Sequence, residues 1–285
     1  MIISVASGKG GTGKTTISVN LALSINGGVQ FLDCDVEEPN AHIFLKPEIK
    51  QTKKVFIPVP EIDEEKCTYC GRCREVCAYN AIAVIKETEG KKGSILVFSN
   101  LCHGCGSCSY FCPEGAIREV NKEIGEIEIG TSGAIQFIHG RLNIGEAMAP
   151  PIIRQIKKYI NPTRTVVIDA PPGTSCPVVE TIKRSDFCLL VTEPTPFGLN
   201  DLTLAVEVLR KLKVPFGVVI NRSDLGNEKT DEYCKKENIP ILMRIPFKKE
   251  IAIAYSKGEP IVKTFPKYRK DFEELFNKIK DGKLN

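Results

Sequence analysis

A chain of 285 residues with a formal net charge of +4, 42% hydrophobic and 26% charged residues, has an ordinary globular composition and enough length to bury the core of one or two domains. Charge this small and dispersed gives no argument for a nucleic-acid partner. No apolar run approaches about 18 residues and nothing ahead of "MIISVASGKG" looks like a secretory leader, so a membrane span is not expected, the expected compartment is cytoplasmic, and dense cysteines read as metal ligands before disulfides.

The N-terminal run "SVASGKGGTGKTTISVNLALSI" starts as a β-branched strand, passes a glycine-rich turn and continues with apolar residues at helical spacing. From Gly8 to Thr15 the turn matches G-x-x-x-x-G-K-[ST], a loop whose backbone N–H groups cradle phosphate oxygens. Lys14 would neutralise the β and γ charge, and the Thr15 hydroxyl could ligate Mg²⁺. Gly8, Gly10, Gly11, Thr12, Gly13 and Thr16 complete the candidate cradle. A second lysine, Lys9, precedes the glycine pair. This variant resembles the deviant Walker A loop of the MinD/ParA/Mrp ATPases, a group that includes the nitrogenase iron protein. The resemblance implies that Lys9 reaches the phosphates of a partner copy, and hence a homodimer assembled around ATP.

The next apolar run, "VQFLDCDVEEPN", ends in Asp33 and Asp35. It resembles the family's switch I, and that match implies that Asp35 orients or activates the attacking water.

Two cysteine runs follow. Cys67, Cys70, Cys73 and Cys77 superpose on Cys102, Cys105, Cys108 and Cys112 at a period of 35 residues, with a glycine after each second cysteine and an Ala-Ile pair after each set. The spacing C-x2-C-x2-C-x3-C is that of bacterial iron–sulfur runs. Zinc sites use two pairs of ligands per metal, often with His, and give no reason for four thiols to repeat twice at this spacing. From about Glu61 to Asn121 the segment resembles a two-cluster ferredoxin. The resemblance implies one [4Fe-4S] cluster on Cys67, Cys70, Cys73 and Cys112, and a second on Cys77, Cys102, Cys105 and Cys108. Cys112 is followed by Pro113 as in the family pattern, whereas Cys77 is followed by Ala78. His103 interrupts the second run without a counterpart in the first and reads as a second-layer or exposed residue.

Beyond the cysteines, helical and strand runs alternate: "APPIIRQIKKYI", "TVVIDA", "PVVETIKRS", "FCLLVTE", "LNDLTLAVEVLRKLK", "FGVVIN", "EKTDEYCKKEN" and "ILMRIPF". Strands apolar on both faces and separated by helices predict a mostly parallel α/β sheet covered on both sides, with ligands at the strands' carboxyl ends. "TVVIDAPPGTS" resembles Walker B with switch II, which implies that Asp169 holds Mg²⁺ through water and that the Gly173 N–H senses the γ-phosphate. "FGVVINRSD" places Asn221 where the family reads adenine. The expected division is a discontinuous P-loop ATPase domain at 1–57 and 124–285, with an α+β ferredoxin-like domain inserted at 58–123.

Cys176 lies seven residues after Asp169, the offset at which the nitrogenase iron protein ligates a cluster shared by two subunits. No cysteine stands between Cys112 and Cys176 to supply the second ligand. A small residue of the switch loop is therefore the favoured reading over a ligand or electron contact near the dimer axis. Cys34, Cys188 and Cys234 read as core, and His42 and His139 have no partner legible in the sequence. The tail sets Tyr268, Phe272, Leu275, Phe276 and Ile279 on one helical face, but its polar face carries Asp271, Glu273 and Glu274, which favours packing on the core over a membrane.

Together these readings imply a slow Mg-dependent ATPase, open to stimulation by a partner, that binds ATP/ADP with Mg and two [4Fe-4S] clusters. The first functional expectation is nucleotide-driven dimer rearrangement coupled to electron transfer toward a redox or cluster-accepting protein. The alternatives are an assembly or delivery ATPase of Mrp type, although that branch's C-terminal Cys-x-x-Cys is absent here, and a positioning ATPase with structural clusters.

Overall fold

Five of the apolar runs become the centre of one sheet. The computed structural model describes residues 1–86, 88 and 91–282. In chain order its elements are β1 (Ile2–Ala6), α1 (Lys14–Ser24), β2 (Val29–Asp33), α2 (Ala41–Leu45), β3 (Glu48–Ile62), α3 (Arg72–Glu75), β4 (Ile82–Ile85), β5 (Ser94–Val97), α4 (Ser107–Tyr110), β6 (Ile117–Ser132) and β7 (Ile135–Leu142). There follow α5 (Ala149–Lys157), β8 (Thr165–Asp169), α6 (Cys176–Ile182), β9 (Phe187–Thr192), α7 (Pro196–Leu212), β10 (Phe216–Asn221), α8 (Lys229–Lys236), β11 (Ile241–Ile245), α9 (Lys249–Ser256), α10 (Ile261–Thr264) and α11 (Lys267–Lys280).

By its internal contacts the chain divides into two units. The first comprises Met1–Lys53, Ile127–Arg141 and Ile152–Asn285; the second comprises Lys54–Glu126 and Leu142–Pro151. The strand order of the large sheet is β11-β10-β9-β1-β8-β2-β7-β6-β3. β1 pairs in parallel with β8 and β9, β2 with β8 and β7, and β10 with β9 and β11. The mostly parallel α/β sheet expected from the sequence is present. The reading above assigns no strands between 117 and 142; β6 and β7 are there, joined at Gly133 (φ 56°).

Alternate residues of the central strands feed two apolar layers, as a period of two requires. Ile3, Val5, Leu189, Val191 and Val219 face one layer with Ile17 and Leu21 of α1 and Phe272 and Leu275 of α11. Ala6, Cys188, Leu190, Val218 and Ile220 face the other with Val178 of α6, Leu202 and Val206 of α7, and Cys234 of α8. Both layers are fully enclosed, and each aliphatic side chain so buried contributes about 1.5–3 kcal/mol against the entropy of folding. The predicted tail face packs as expected: Tyr268, Phe272, Leu275 and Ile279 are buried and Phe276 is half-buried against the same core. Among the described residues no helix is long and apolar enough to cross a membrane.

The second unit has a far thinner core. Cys73, Ile82 and Ile117 are buried, with Ile62, Val84, Ile95, Cys108 and Cys112 half-buried around them. β4 and β5 form a separate antiparallel pair.

Candidate functional site

The glycine loop connects β1, an interior strand of the sheet, to α1, so the loop's N–H groups and the start of a helix face one point at the carboxyl ends of the strands. Gly13, the residue before α1, has φ 90°, and a Cβ there would stand 2.5 Å from Asn221 Nδ2; only glycine fits. Gly10, Gly11, Gly13, Lys14, Thr15, Thr16, Asp35 and Asn221 line an open cavity of ≈ 1240 Å³. Five other predicted residues lie off its wall. Gly8 approaches α7 so closely that a Cβ would meet the Asp201 carbonyl oxygen at 2.2 Å. The Lys9 carbonyl accepts from Ser7 Oγ (2.7 Å), Thr12 is buried, and Gly173 N donates to the Ser7 carbonyl (3.0 Å). Asp169, the fifth, is fully buried and accepts from the Thr15 hydroxyl at 2.6 Å. The hydroxyl and carboxylate named for Mg²⁺ thus converge, which is the donor set that ion prefers. Asn221 Nδ2 donates to the Thr12 carbonyl (2.8 Å), and its Oδ1 accepts from Arg222 N (3.0 Å).

Charge is concentrated under the loop. Lys14 Nζ lies 3.5 Å from Asp35 Oδ2 and 3.5 Å from Asp169 Oδ1. Burial alone would lower the Lys14 pKa, but Asp169, Asp35 and Asp33 outweigh it and the net shift is upward. Burial raises the Asp35 carboxyl to about 6, with Lys14 opposing and Asp169 reinforcing the shift. Asp33 is pushed well above the ordinary carboxylate range by complete burial and by Asp169, although it accepts from Ala41 N (3.0 Å) and Asp35 N (3.1 Å). Asp33 therefore ties both ends of the 35–41 segment.

Several cavity residues escape sequence reasoning. Arg222 directly follows β10, Phe247 and Lys248 lie in the loop after β11, and Tyr255 is on α9. Arg222 has φ 50° and its guanidinium pairs with Glu193 at 2.8 Å. The only sequence signal for them is that they follow the carboxyl ends of predicted strands.

In the second unit the eight thiols divide between two cavities. Cys67, Cys70, Cys73 and Cys112 line one of ≈ 350 Å³, with Tyr69, Val84, Ile95 and Ile117 among its walls. Cys77, Cys102, Cys105 and Cys108 line another of ≈ 410 Å³, with Tyr79, His103 and Glu119. The division is the one the ferredoxin resemblance implies. Backbone N–H groups turn toward sulfur at equivalent places: Ala81 N donates to Cys77 Sγ and Ala116 N to Cys112 Sγ, both at 3.3 Å. Among the described residues no three His, Cys, Asp or Glu side chains converge on a single metal ion. Four soft donors around a space, with amide hydrogens aimed at sulfur, fit a cluster better than one ion.

The remaining cysteines and histidines are placed plainly. Cys34, Cys188 and Cys234 are buried, and Cys176 is exposed at the start of α6. His103 stacks on Tyr79, ring centroids 3.4 Å apart. His139, unpaired in the sequence reading, has a partner after all: its Nε2 lies 2.5 Å from Glu128 Oε2, and its ring stands 5.6 Å from that of His42. Glu128 comes from β6, one of the strands that reading omits.

A glycine loop between a central parallel strand and a helix, with a buried lysine, a hydroxyl and a carboxylate beneath it, defines a P-loop nucleotide-binding protein. The chain belongs to the CobQ/CobB/MinD/ParA nucleotide-binding domain family, whose match spans residues 3–261. It is 35% identical over 285 residues to an uncharacterized protein of Methanocaldococcus jannaschii, MJ0579, covering 98% of this chain and 97% of that one. It is 25% identical over 296 residues to an iron-sulfur cluster carrier protein of Methanococcus maripaludis, covering 97% of this chain and 83% of the relative. Its fold resembles that of the cell division ATPase MinD of Pyrococcus furiosus (TM-score 0.59, 21% identity, 98% of both chains covered).

Proposed function

We propose that the chain is an iron–sulfur ATPase in which MgATP, bound between two copies, controls electron transfer by two [4Fe-4S] clusters held in the inserted unit. The observation that carries this reading is the division of eight thiols into two walls of four, on a chain that also holds a complete phosphate cradle. Cys67, Cys70, Cys73 and Cys112 would hold one cluster, and Cys77, Cys102, Cys105 and Cys108 the other. When bound, such clusters accept and release single electrons.

In the nucleotide unit Lys14 and the loop N–H groups bind the phosphates, and Thr15 and Asp169 orient Mg²⁺. Asp35, on the cavity wall beside Lys14, orients the attacking water for in-line displacement of the γ-phosphoryl group. Lys9, off the wall of its own cavity, reaches the phosphates held by the second copy. Gly173 exchanges its bond to the Ser7 carbonyl for one to the γ-phosphate, which gives switch II two arrangements that ATP and ADP bias differently.

The test is iron and sulfide analysis followed by a potentiometric titration, read by electron paramagnetic resonance, of anaerobically reconstituted protein with MgATP and with MgADP. About eight irons per chain and a couple whose potential or line shape depends on the nucleotide are expected. Two intact clusters blind to nucleotide would remove the coupling. A second reading, delivery of clusters to an acceptor protein, is favoured by the printed role of the M. maripaludis relative, which matches over 97% of this chain. Loss of iron to an apo-acceptor on adding MgATP would select it.

A further inference from the structure

Three side chains beside switch I take no part in binding phosphate or metal in the scheme above. His139 on β7 is the Cα partner of Asp33 on β2, the residue whose carboxyl receives the N–H groups of Asp35 and Ala41. The His139 ring is 3% exposed and lies against Phe137 (centroids 5.1 Å) and against His42, the second residue of α2. Its Nε2 meets the Glu128 carboxylate at 2.5 Å, while its buried Nδ1 has no hydrogen-bond partner among the described residues. A buried N–H at Nδ1 would be left unsatisfied, so the ring is neutral with its proton on Nε2, donating to Glu128. Burial also lowers its pKa, against the pull of Glu128.

We propose that Glu128 and His139 are positioning residues for switch I: the carboxylate fixes the ring's orientation, the ring supports α2 at His42, and α2 together with Asp33 sets where Asp35 stands. The geometry is that of a ligand-orienting pair in a metal site, where a carboxylate fixes the tautomer and rotation of an imidazole, applied here to a helix instead of a metal. Asp33 cannot supply the same constraint alone. It ties the two ends of the 35–41 segment, and Ala41, Phe44 and Leu45 seat α2 on the core, but neither touches the His42 side of the helix, which the His139 ring meets. β6, which bears Glu128, is also the strand by which the chain returns from the second thiol run. The charged groups that face His139 are Glu128, His42 and Arg141.

Only the kinetic arm of the test rests on the ATPase reading. Glu128→Gln and His139→Phe would be compared with the parent by hydrogen exchange over residues 34–45, without nucleotide, and by steady-state ATP hydrolysis. Faster exchange confined to 34–45 is expected in both variants. In turnover, kcat falls about tenfold with the KM for MgATP held within about twofold, the loss of one charge-assisted hydrogen bond acting on orientation alone. His139→Phe keeps the ring's bulk, so a Glu128→Gln protein that failed to fold would leave it to decide. Exchange over 34–45 unchanged in both folded variants overturns the proposal, as does a uniform rise in exchange across the sheet, which would mark a merely structural pair. A parent that hydrolyses no ATP but loses protection at 34–45 in the variants would sink the ATPase reading and leave this one standing.

Discussion

The phosphate cradle and the thiol cavities are both made by backbone turned through the left-handed region, at Gly11 and Gly13 in one and at Gly71 and Gly106 in the other. They differ in what holds the turn. The cradle sits on a fully buried parallel sheet, with Lys14 and Asp169 locked beneath it. Among the described residues the apolar cluster beside the thiol loops joins three buried and five half-buried side chains, and three of the eight, Cys73, Cys108 and Cys112, are themselves proposed ligands. The cradle is thus assembled by its own core, while on the reading proposed above the thiol loops, whose local cluster is small and partly made of ligands, would draw part of their order from what their sulfurs bind.

The largest effect that would break this comparison is removal of iron. Oxidative chelation should leave the nucleotide unit folded and open the segment between Cys67 and Cys112, raising its proteolytic cleavage rate by at least about tenfold over the reconstituted protein, since a bound group stabilises only the folded form. Equal cleavage with and without iron would show that the loops stand unaided. On the other side, Lys14→Ala removes the cation between two buried carboxylates. Nucleotide affinity should weaken at least about a hundredfold, and the fold should lose about 3 kcal/mol, the usual cost of breaking a buried pair from one side. Titration calorimetry and thermal unfolding measure the two separately.

An Asp35→Asn change sharpens the comparison by asking whether the cradle is under electrostatic load. The Asp35 pKa is raised to about 6 in the fold, from 3.8. A carboxyl raised on folding binds its proton more tightly in the native state, so its stabilising contribution is present below about pH 4 and is lost as pH climbs through about 6. Without nucleotide, the asparagine variant should match the parent near pH 4 and exceed it above pH 6, by about 2–3 kcal/mol at most. Hydrolysis should fall at least about a hundredfold. A stability difference that did not vary with pH would show that burial does not load Asp35.

How much of this could be read from the chain follows from the range of each signal. The cradle and the thiol repeat are local spacings and so were legible: Gly8 to Thr15 lie at the turn from β1 into α1, and the two cysteine runs line two cavities. Strand ends were also legible, because an Asp or Asn closing an apolar run marks a carboxyl end: Asp33, Asp169 and Asn221 all close strands. What was hidden needed pairing across the sheet. "EIGEIEIG" and "AIQFIHG" alternate as strands do, yet the cysteine repeat beside them dominates the local pattern, and nothing in either run says that His139 will stand opposite Asp33 or reach Glu128. The grouping of Leu142–Pro151 with the cysteine-bearing unit is likewise a matter of contact, without a composition signal.

The smallest effect tests whether the two thiol loops share one backbone. Positions 69 and 104, 71 and 106, and 80 and 115 are equivalent in the repeat and all have positive φ: Tyr69 51° and Gly104 63°, Gly71 86° and Gly106 73°, Asn80 53° and Gly115 58°. The backbone demand is therefore common, while the side chains that meet it differ. Asparagine tolerates this region and nothing lies within 4 Å of a Cβ added at Gly115, so Asn80→Gly and Gly115→Asn should each change stability by less than about 1 kcal/mol. Position 104 should not be exchangeable in the same way. A Cβ on Gly104 meets the Pro58 carbonyl oxygen at 3.0 Å, whereas Tyr69 is buried with its ring against Gly93, where a Cβ would come within 2.4 Å of it. Gly104→Ala should cost about 1–2 kcal/mol, more than either exchange at 80 or 115, because the left-handed conformation and the contact act together. Chemical denaturation of the reconstituted proteins measures the series. If Gly115→Asn proved as costly as Gly104→Ala, the shared turn would not be what limits these loops, and the wall against Pro58 would lose its part in telling the two cavities apart.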